Sequence, residues 1–144
     1  EALKQLSAVY DAQNVYVEEN LQRFRRGASS AKVLSTLAKF NGIVSYQAYK
    51  VFGVEPVDVN VNHARSLLGI KIDKKDKTMT TKEKVLSQVM PLVKEDMESI
   101  KMDWPTKILK RGPNKGKEVL IEECGDMADA WVICKAGQDI IRES

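Results

Sequence analysis

Histidine occurs once and cysteine twice in this chain of 144 residues. These scarcities exclude more than the abundant residues do. With His63 the sole imidazole, no Cys or His cluster has zinc-ligand spacing. Cys134 falls inside a predicted helix, and no disulfide-rich pattern surrounds it or Cys124. A framework disulfide is therefore not expected, and a reducing, intracellular and cytoplasmic setting is. No apolar run approaches the roughly 18 residues of a membrane span, and no secretion-signal pattern opens the chain. The first residue is Glu1, which points to a processed or cut start. Internal repeats and low-complexity tracts are missing as well. The net charge of +3 is too small to diagnose nucleic-acid binding by itself, so the distribution of charge matters more.

What is present is an ordinary globular composition, 43% hydrophobic and 30% charged, at a length that makes one domain with a real core. Leu3, Leu6 and Tyr10 put the back half of a helix over residues 1 to about 12. Val15 to Glu18 reads as a strand, and Glu19 to Ser30 as a polar, basic stretch. Ser29 or Ser30 caps a long helix reaching Phe52, and Gly53 closes it. Val57, Val59 and Val61 alternate with polar residues as in a strand with one wet face. Asn62 is the expected cap of a short helix that stops at Gly69, and His63 beside it reads as a surface residue.

Lys71 to Lys77 is a charged loop, and Thr80-Thr81-Lys82-Glu83 forms a capping box for the next helix. Pro91 is expected to kink or restart that helix, which reaches about Lys101. A hairpin over about 104–123 follows, with Ile108-Leu109 and Val119 to Ile121 as arms and Gly112 to Gly116 as the turn. That turn resembles a phosphate loop only superficially, because it opens no helix. The last helix is expected from Asp126 to about Arg142. Strands alternating with helices indicate an α/β architecture in which crossover helices cover a sheet.

Within this pattern, Asp126 and Asp129 in Cys124-Gly125-Asp126-Met127-Ala128-Asp129-Ala130 open an apolar helix and share one of its faces. Taken alone, they read as an N-cap and a first-turn acid favoured by the helix dipole. Glu18 ends the early strand Val15-Tyr16-Val17-Glu18, with Glu19 beside it. If the fold joins these acids, three or four oxygen ligands meet where a hard divalent cation can bind and phosphodiester hydrolysis can be run.

The order of pieces resembles the RuvC-type Holliday junction resolvases of the ribonuclease H-like superfamily. The matching segments are Val17-Glu18-Glu19; the helix from Ser30 to Phe52 with Phe40-Asn41-Gly42; Asn60-Val61-Asn62-His63-Ala64-Arg65 with Leu68-Gly69; Lys82-Glu83-Lys84-Val85; and Asp126-Met127-Ala128-Asp129-Ala130. The resemblance covers most of the chain. It implies a single, partial nuclease domain over 1–144 with a ribonuclease H-like sheet and flanking helices. It also implies Mg²⁺- or Mn²⁺-dependent cutting of branched DNA, by a homodimer in the intact protein.

In that family Glu18, Asp126 and Asp129 are the metal-holding acids, and Lys82 is a lysine near the scissile phosphate, where a fixed cation stabilises developing charge. The family's first aspartate, its strand and two neighbouring strands have no counterpart here. The chain then reads as N-terminally truncated, or as half of a site completed elsewhere, and is expected to be inactive or nearly so alone. Leu21 stands where many members carry a junction-wedging aromatic, a role Phe24 could take. The stretch between Lys82 and Asp126 is longer than usual.

Positive charge gathers in three segments: Arg23, Arg25 and Arg26; Lys71, Lys74, Lys75 and Lys77; and Lys107, Lys110, Arg111, Lys115 and Lys117. Loops and turns are the usual home of phosphate contacts. The Arg23 cluster with Phe24, and Lys107, Lys110 and Arg111 of the hairpin, are the expected DNA contacts. The Lys71 to Lys77 run reads instead as solvated surface, because Asp73 and Asp76 interrupt it. Two other functions fit the same residues: a catalytically silent nucleic-acid-binding or assembly module of this fold, and a ribonuclease H-like nuclease for hybrids or single strands.

Overall fold

The computed structural model describes residues 1–19 and 31–143. Its elements are α1 (Ala2–Val9), β1 (Tyr16–Glu18), α2 (Ala31–Phe52), β2 (Val57–Val59), α3 (Val61–Leu67), α4 (Thr81–Ser99), β3 (Thr106–Ile108), β4 (Glu118–Leu120) and α5 (Cys124–Glu143). The chain is mixed α/β, with two small sheets. It divides into two compact units: Glu1–Ala64 with Ile133–Ser144, and Arg65–Val132.

In the first unit β1 and β2 pair in parallel, with Tyr16, Val17 and Glu18 opposite Val57, Asp58 and Val59. The Val57 N–H donates to the Val15 carbonyl and the Glu19 N–H to that of Val59, each at 2.9 Å. Parallel neighbours cannot be joined by a tight turn, and α2 supplies the crossover. Val59, Ala48 of α2, Ala64 of α3, and Ile133 and Ala136 of α5 are buried. The Tyr16 ring lies against Gly137. A Cβ at that glycine would come within 2.5 Å of the ring Cε1 and 2.8 Å of Cγ, so only glycine fits there. The Tyr16 hydroxyl is buried with no hydrogen-bond partner among the described residues. Burial first, and Cys134 second, push its pKa above the usual value.

Several boundaries differ from the expectation. The first helix ends at Val9, and Tyr10 is already extended. Leu6 and Tyr10 are exposed rather than facing a core. Val61 does not extend β2; it begins α3, because the Asn60 Oδ1 accepts the N–H groups of Asn62 and His63, each at 3.1 Å. Asn60, not Asn62, is therefore the cap. The caps expected at Ser29 and Ser30 lie outside the described residues.

In the second unit α4 keeps a stripe every four residues: Val85, Val89, Val93 and Met97 are all buried. Its start is the expected capping box, with the Thr80 side chain accepting the Glu83 N–H at 3.2 Å and the Glu83 Oε2 accepting the Thr80 N–H at 2.6 Å. That reciprocal bond holds the Glu83 carboxyl below its ordinary pKa. Pro91 neither ends nor restarts α4, which runs through it as one helix. Pro91 and Ser87 are both exposed, so the Ser87 carbonyl that loses its helical donor can turn to water.

The hairpin is present as expected, β3 antiparallel to β4 with Thr106 opposite Leu120. Gly112 and Gly116 both take positive φ in its turn. The last helix starts two residues earlier than expected. The Cys124 N–H already bonds to the Ile121 carbonyl at 3.2 Å and the Met127 N–H to that of Glu123 at 3.0 Å. Asp126 is consequently a first-turn residue, not the cap. Cys124, Ala128 and Val132 are buried at the same four-residue spacing as the α4 stripe. No helix of the described residues is long and apolar enough to cross a membrane.

Candidate functional site

Four charged side chains meet in the second unit, two from α5 and one each from α3 and α4. The four-residue spacing that buries Cys124, Ala128 and Val132 turns Asp126 and Asp129 toward a different face. Lys82, 44 positions before Asp126, places its Nζ 2.6 Å from the Asp126 Oδ1. That contact raises the Lys82 pKa, through the hydrogen bond first and the Asp126 charge second. Lys82 is thus a full cation at neutral pH. Both partners are well exposed, at 59% and 68% of their side-chain surface, so the pair adds little stability. It remains open to exchange with solvent or a ligand. Gly125 makes the approach practical: a Cβ there would stand 3.2 Å from both Cβ and Cδ of Lys82.

Asp129 is held differently. The Arg65 Nη2 donates to Oδ1 and Oδ2 at 2.7 and 2.8 Å, and its Nε donates to Oδ1 at 3.1 Å. With only 11% and 15% of the two side chains exposed, this is a largely desolvated, bidentate pair. Arg65 belongs to the segment compared above with the resolvases, but its role here was not legible. An arginine late in a short helix carries no mark of its partner 64 residues away.

A cavity of about 770 Å³ opens beside Lys82. Thr80, Thr81, Leu86, Leu120, Glu122 and Asp126 line it, so it joins the start of α4, the end of β4 and the start of α5. Its lining mixes apolar side chains with one cation, Lys82, and several acids.

Glu18 ends β1 in the first unit, where with Val17, Glu19, Leu37, Phe40 and Val44 it lines a cavity of about 350 Å³. Glu19 accepts a bond from the Asn60 Nδ2 at 2.9 Å, so the residue that caps α3 also fastens the end of β1. Lys107, Lys110 and Arg111 are exposed on the hairpin, together with Lys115 and Lys117. Arg23, Phe24, Arg25 and Arg26 lie outside the described residues.

The resemblance calls for a divalent cation, and the arrangement of the donors bears on that. Among the described residues, no group of three or more His, Cys, Asp or Glu could hold a metal ion. Asp126 and Asp129 are each committed to a basic side chain. As arranged, these donors do not form a ready metal site.

No protein-family model, curated protein or solved structure matches this chain.

Proposed function

We propose that this chain is a structure-selective DNA endonuclease of the ribonuclease H-like type, hydrolysing phosphodiester bonds at four-way junctions. The observation that carries the reading is the meeting of Lys82 with Asp126 across 44 intervening positions. Phosphodiester hydrolysis gathers negative charge on the phosphate oxygens and the leaving oxygen. An ammonium beside a carboxylate, both lining a cavity with room for a phosphate, meets part of that need. Asp126 orients the ammonium, and an entering phosphate can take its place as the partner. The parallel β1 and β2, joined through α2, are compatible with the proposed sheet.

Mg²⁺ or Mn²⁺ goes with this reading as its expected cofactor, and a homodimer on branched DNA inside the cell as its working form. Supplied with the aspartate-bearing strands that the resemblance calls for, the protein incubated with either metal should cleave a four-way junction and leave linear duplex uncut. Asp126→Asn and Asp129→Asn should each abolish cutting while junction binding persists. Equal cutting of both substrates would refute junction selectivity, and loss of binding with either substitution would make that aspartate structural.

One observation favours a second reading, a nucleic-acid-binding or assembly module of the same fold without turnover. Both oxygens of Asp129 are occupied by the Arg65 guanidinium in a poorly solvated setting. Tight junction binding with no cleavage in either metal would select that reading. Absence of both binding and cleavage would dismiss the two together.

A further inference from the structure

Lys71 to Lys77 reads in sequence as self-neutralised, four lysines interrupted by Asp73 and Asp76. In the folded loop both aspartates make local bonds. Asp73 turns one oxygen back on its own chain, accepting the Lys75 N–H at 2.8 Å. The Asp76 Oδ1 accepts the Thr78 N–H at 2.9 Å and the Thr78 hydroxyl at 2.6 Å. Its Oδ2 lies 3.5 Å from the Nζ of Lys84, a lysine with only a tenth of its side chain exposed. These bonds hold the Asp76 carboxyl below its ordinary pKa, the Thr78 contacts contributing most.

Lys84 also fastens the loop backbone. Its ammonium donates to the Asp73 carbonyl at 2.7 Å and to the Asp76 carbonyl. One turn further along α4, Gln88 takes the Lys71 N–H at 3.0 Å and donates to the Lys71 carbonyl at 2.8 Å. The bracing therefore engages both aspartates, Asp73 at the surface and Asp76 half-buried, with the buried Lys84. Lys71, Lys74, Lys75 and Lys77 are left exposed, and among the described residues none of the four enters an ion pair. Over residues 71–77, four lysines against two aspartates leave two positive charges on a short, internally braced loop.

We propose that this loop is a docking surface for a nucleic-acid backbone, read by charge and not by base sequence. Phosphodiester oxygens supply the regular, singly charged acceptors that ammonium groups on a braced loop can meet with little ordering cost. Residues 73–78 carry no apolar side chain at the tip that could anchor in a lipid headgroup region. The surface shares a nucleic-acid partner with the proposed function but none of its residues. It holds whether or not the aspartates support cleavage.

The test is equilibrium binding of the full chain to a linear duplex, with chelator present so that no cutting intervenes. It compares the parent with Lys74→Ala/Lys75→Ala/Lys77→Ala, whose changes are all at exposed positions. The triple variant should bind about tenfold or more weakly. Its dependence of log affinity on log salt, between about 50 and 200 mM, should flatten by roughly two to three units, equally for unrelated sequences. Unchanged affinity and slope would overturn the proposal. So would tighter binding of the parent to vesicles rich in phosphatidylserine than to duplex. Because no cleavage is read, loss of this surface leaves the endonuclease reading intact, and failure of the endonuclease assay leaves this surface intact.

Discussion

Arg65 and Asp129, 64 positions apart, close three hydrogen bonds between α3 and α5 within one compact unit. Removing one member of such a pair leaves a charge with little water around it. Arg65→Ala should lower unfolding stability by about 2–4 kcal/mol, toward the lower end of what breaking a buried pair costs. Arg65→Lys should recover only part, because an ammonium cannot span both oxygens. Urea midpoints at unchanged m-value would measure it. The result also governs how Asp129→Asn is read, since a variant that has unfolded says nothing about catalysis.

Gly137→Ala should destabilise by more than about 2 kcal/mol, because the added methyl overlaps the Tyr16 ring. The partner change Tyr16→Ala makes room for it. In a double-mutant cycle the pair should be well short of additive, with a coupling of about 1 kcal/mol or more. Additive losses would mean that the ring and the glycine do not meet.

Thr80→Ala removes the side-chain acceptor of the α4 cap and should cost about 1 kcal/mol. Thr80→Ser should be nearly neutral. Thermal melts of the three proteins would rank them.

Acid should loosen the same region. Glu83 and Asp76 have folded pKa values below their ordinary values of 4.5 and 3.8. A group depressed on folding contributes its full stabilisation above the ordinary value and loses it as pH falls through the folded one. The melting temperature should therefore decline as pH falls below about 5. Glu83→Gln and Asp76→Asn together should flatten that decline, which melts across the series would reveal.

Lys84→Met keeps the length of the side chain but withdraws every donor from the Asp73 and Asp76 carbonyls. Two backbone acceptors and a carboxylate lose their partner, which should cost about 1–3 kcal/mol. Amide exchange in residues 71–78 should accelerate more than in the α4 stripe. Uniform acceleration would place Lys84 in the global core instead.

Much of this architecture was legible because its signals are local. The Thr80–Glu83 capping box, the helix ending at Phe52 before Gly53, and the hairpin turn between Gly112 and Gly116 each rest on residues a few positions apart. Boundaries failed where a neighbour outcompeted the pattern. Val61 matched the strand period, but the Asn60 side chain caps the chain into a helix first. Pro91 signalled a break that its exposed position makes unnecessary. The site was half legible. Asp126 and Asp129 share a helix and were found by spacing, and Lys82 was placed by resemblance to a family. Arg65, Lys84 and Gln88 act over separations, or on backbone groups, that leave no periodic trace. For Lys71 to Lys77, the sequence reading of an exposed, charged loop agrees with the structure, but the bracing of that loop by Lys84 and Gln88 leaves no trace in composition.

Cys124 is fully buried and its Sγ donates toward the Pro105 carbonyl at 3.4 Å, while Cys134 is exposed. The protein thus carries a built-in handle for chemistry: under native conditions a maleimide dye should attach once, at Cys134, without any cysteine being engineered. A second equivalent reacting only in denaturant would make alkylation kinetics a clock for opening of the α5 amino terminus.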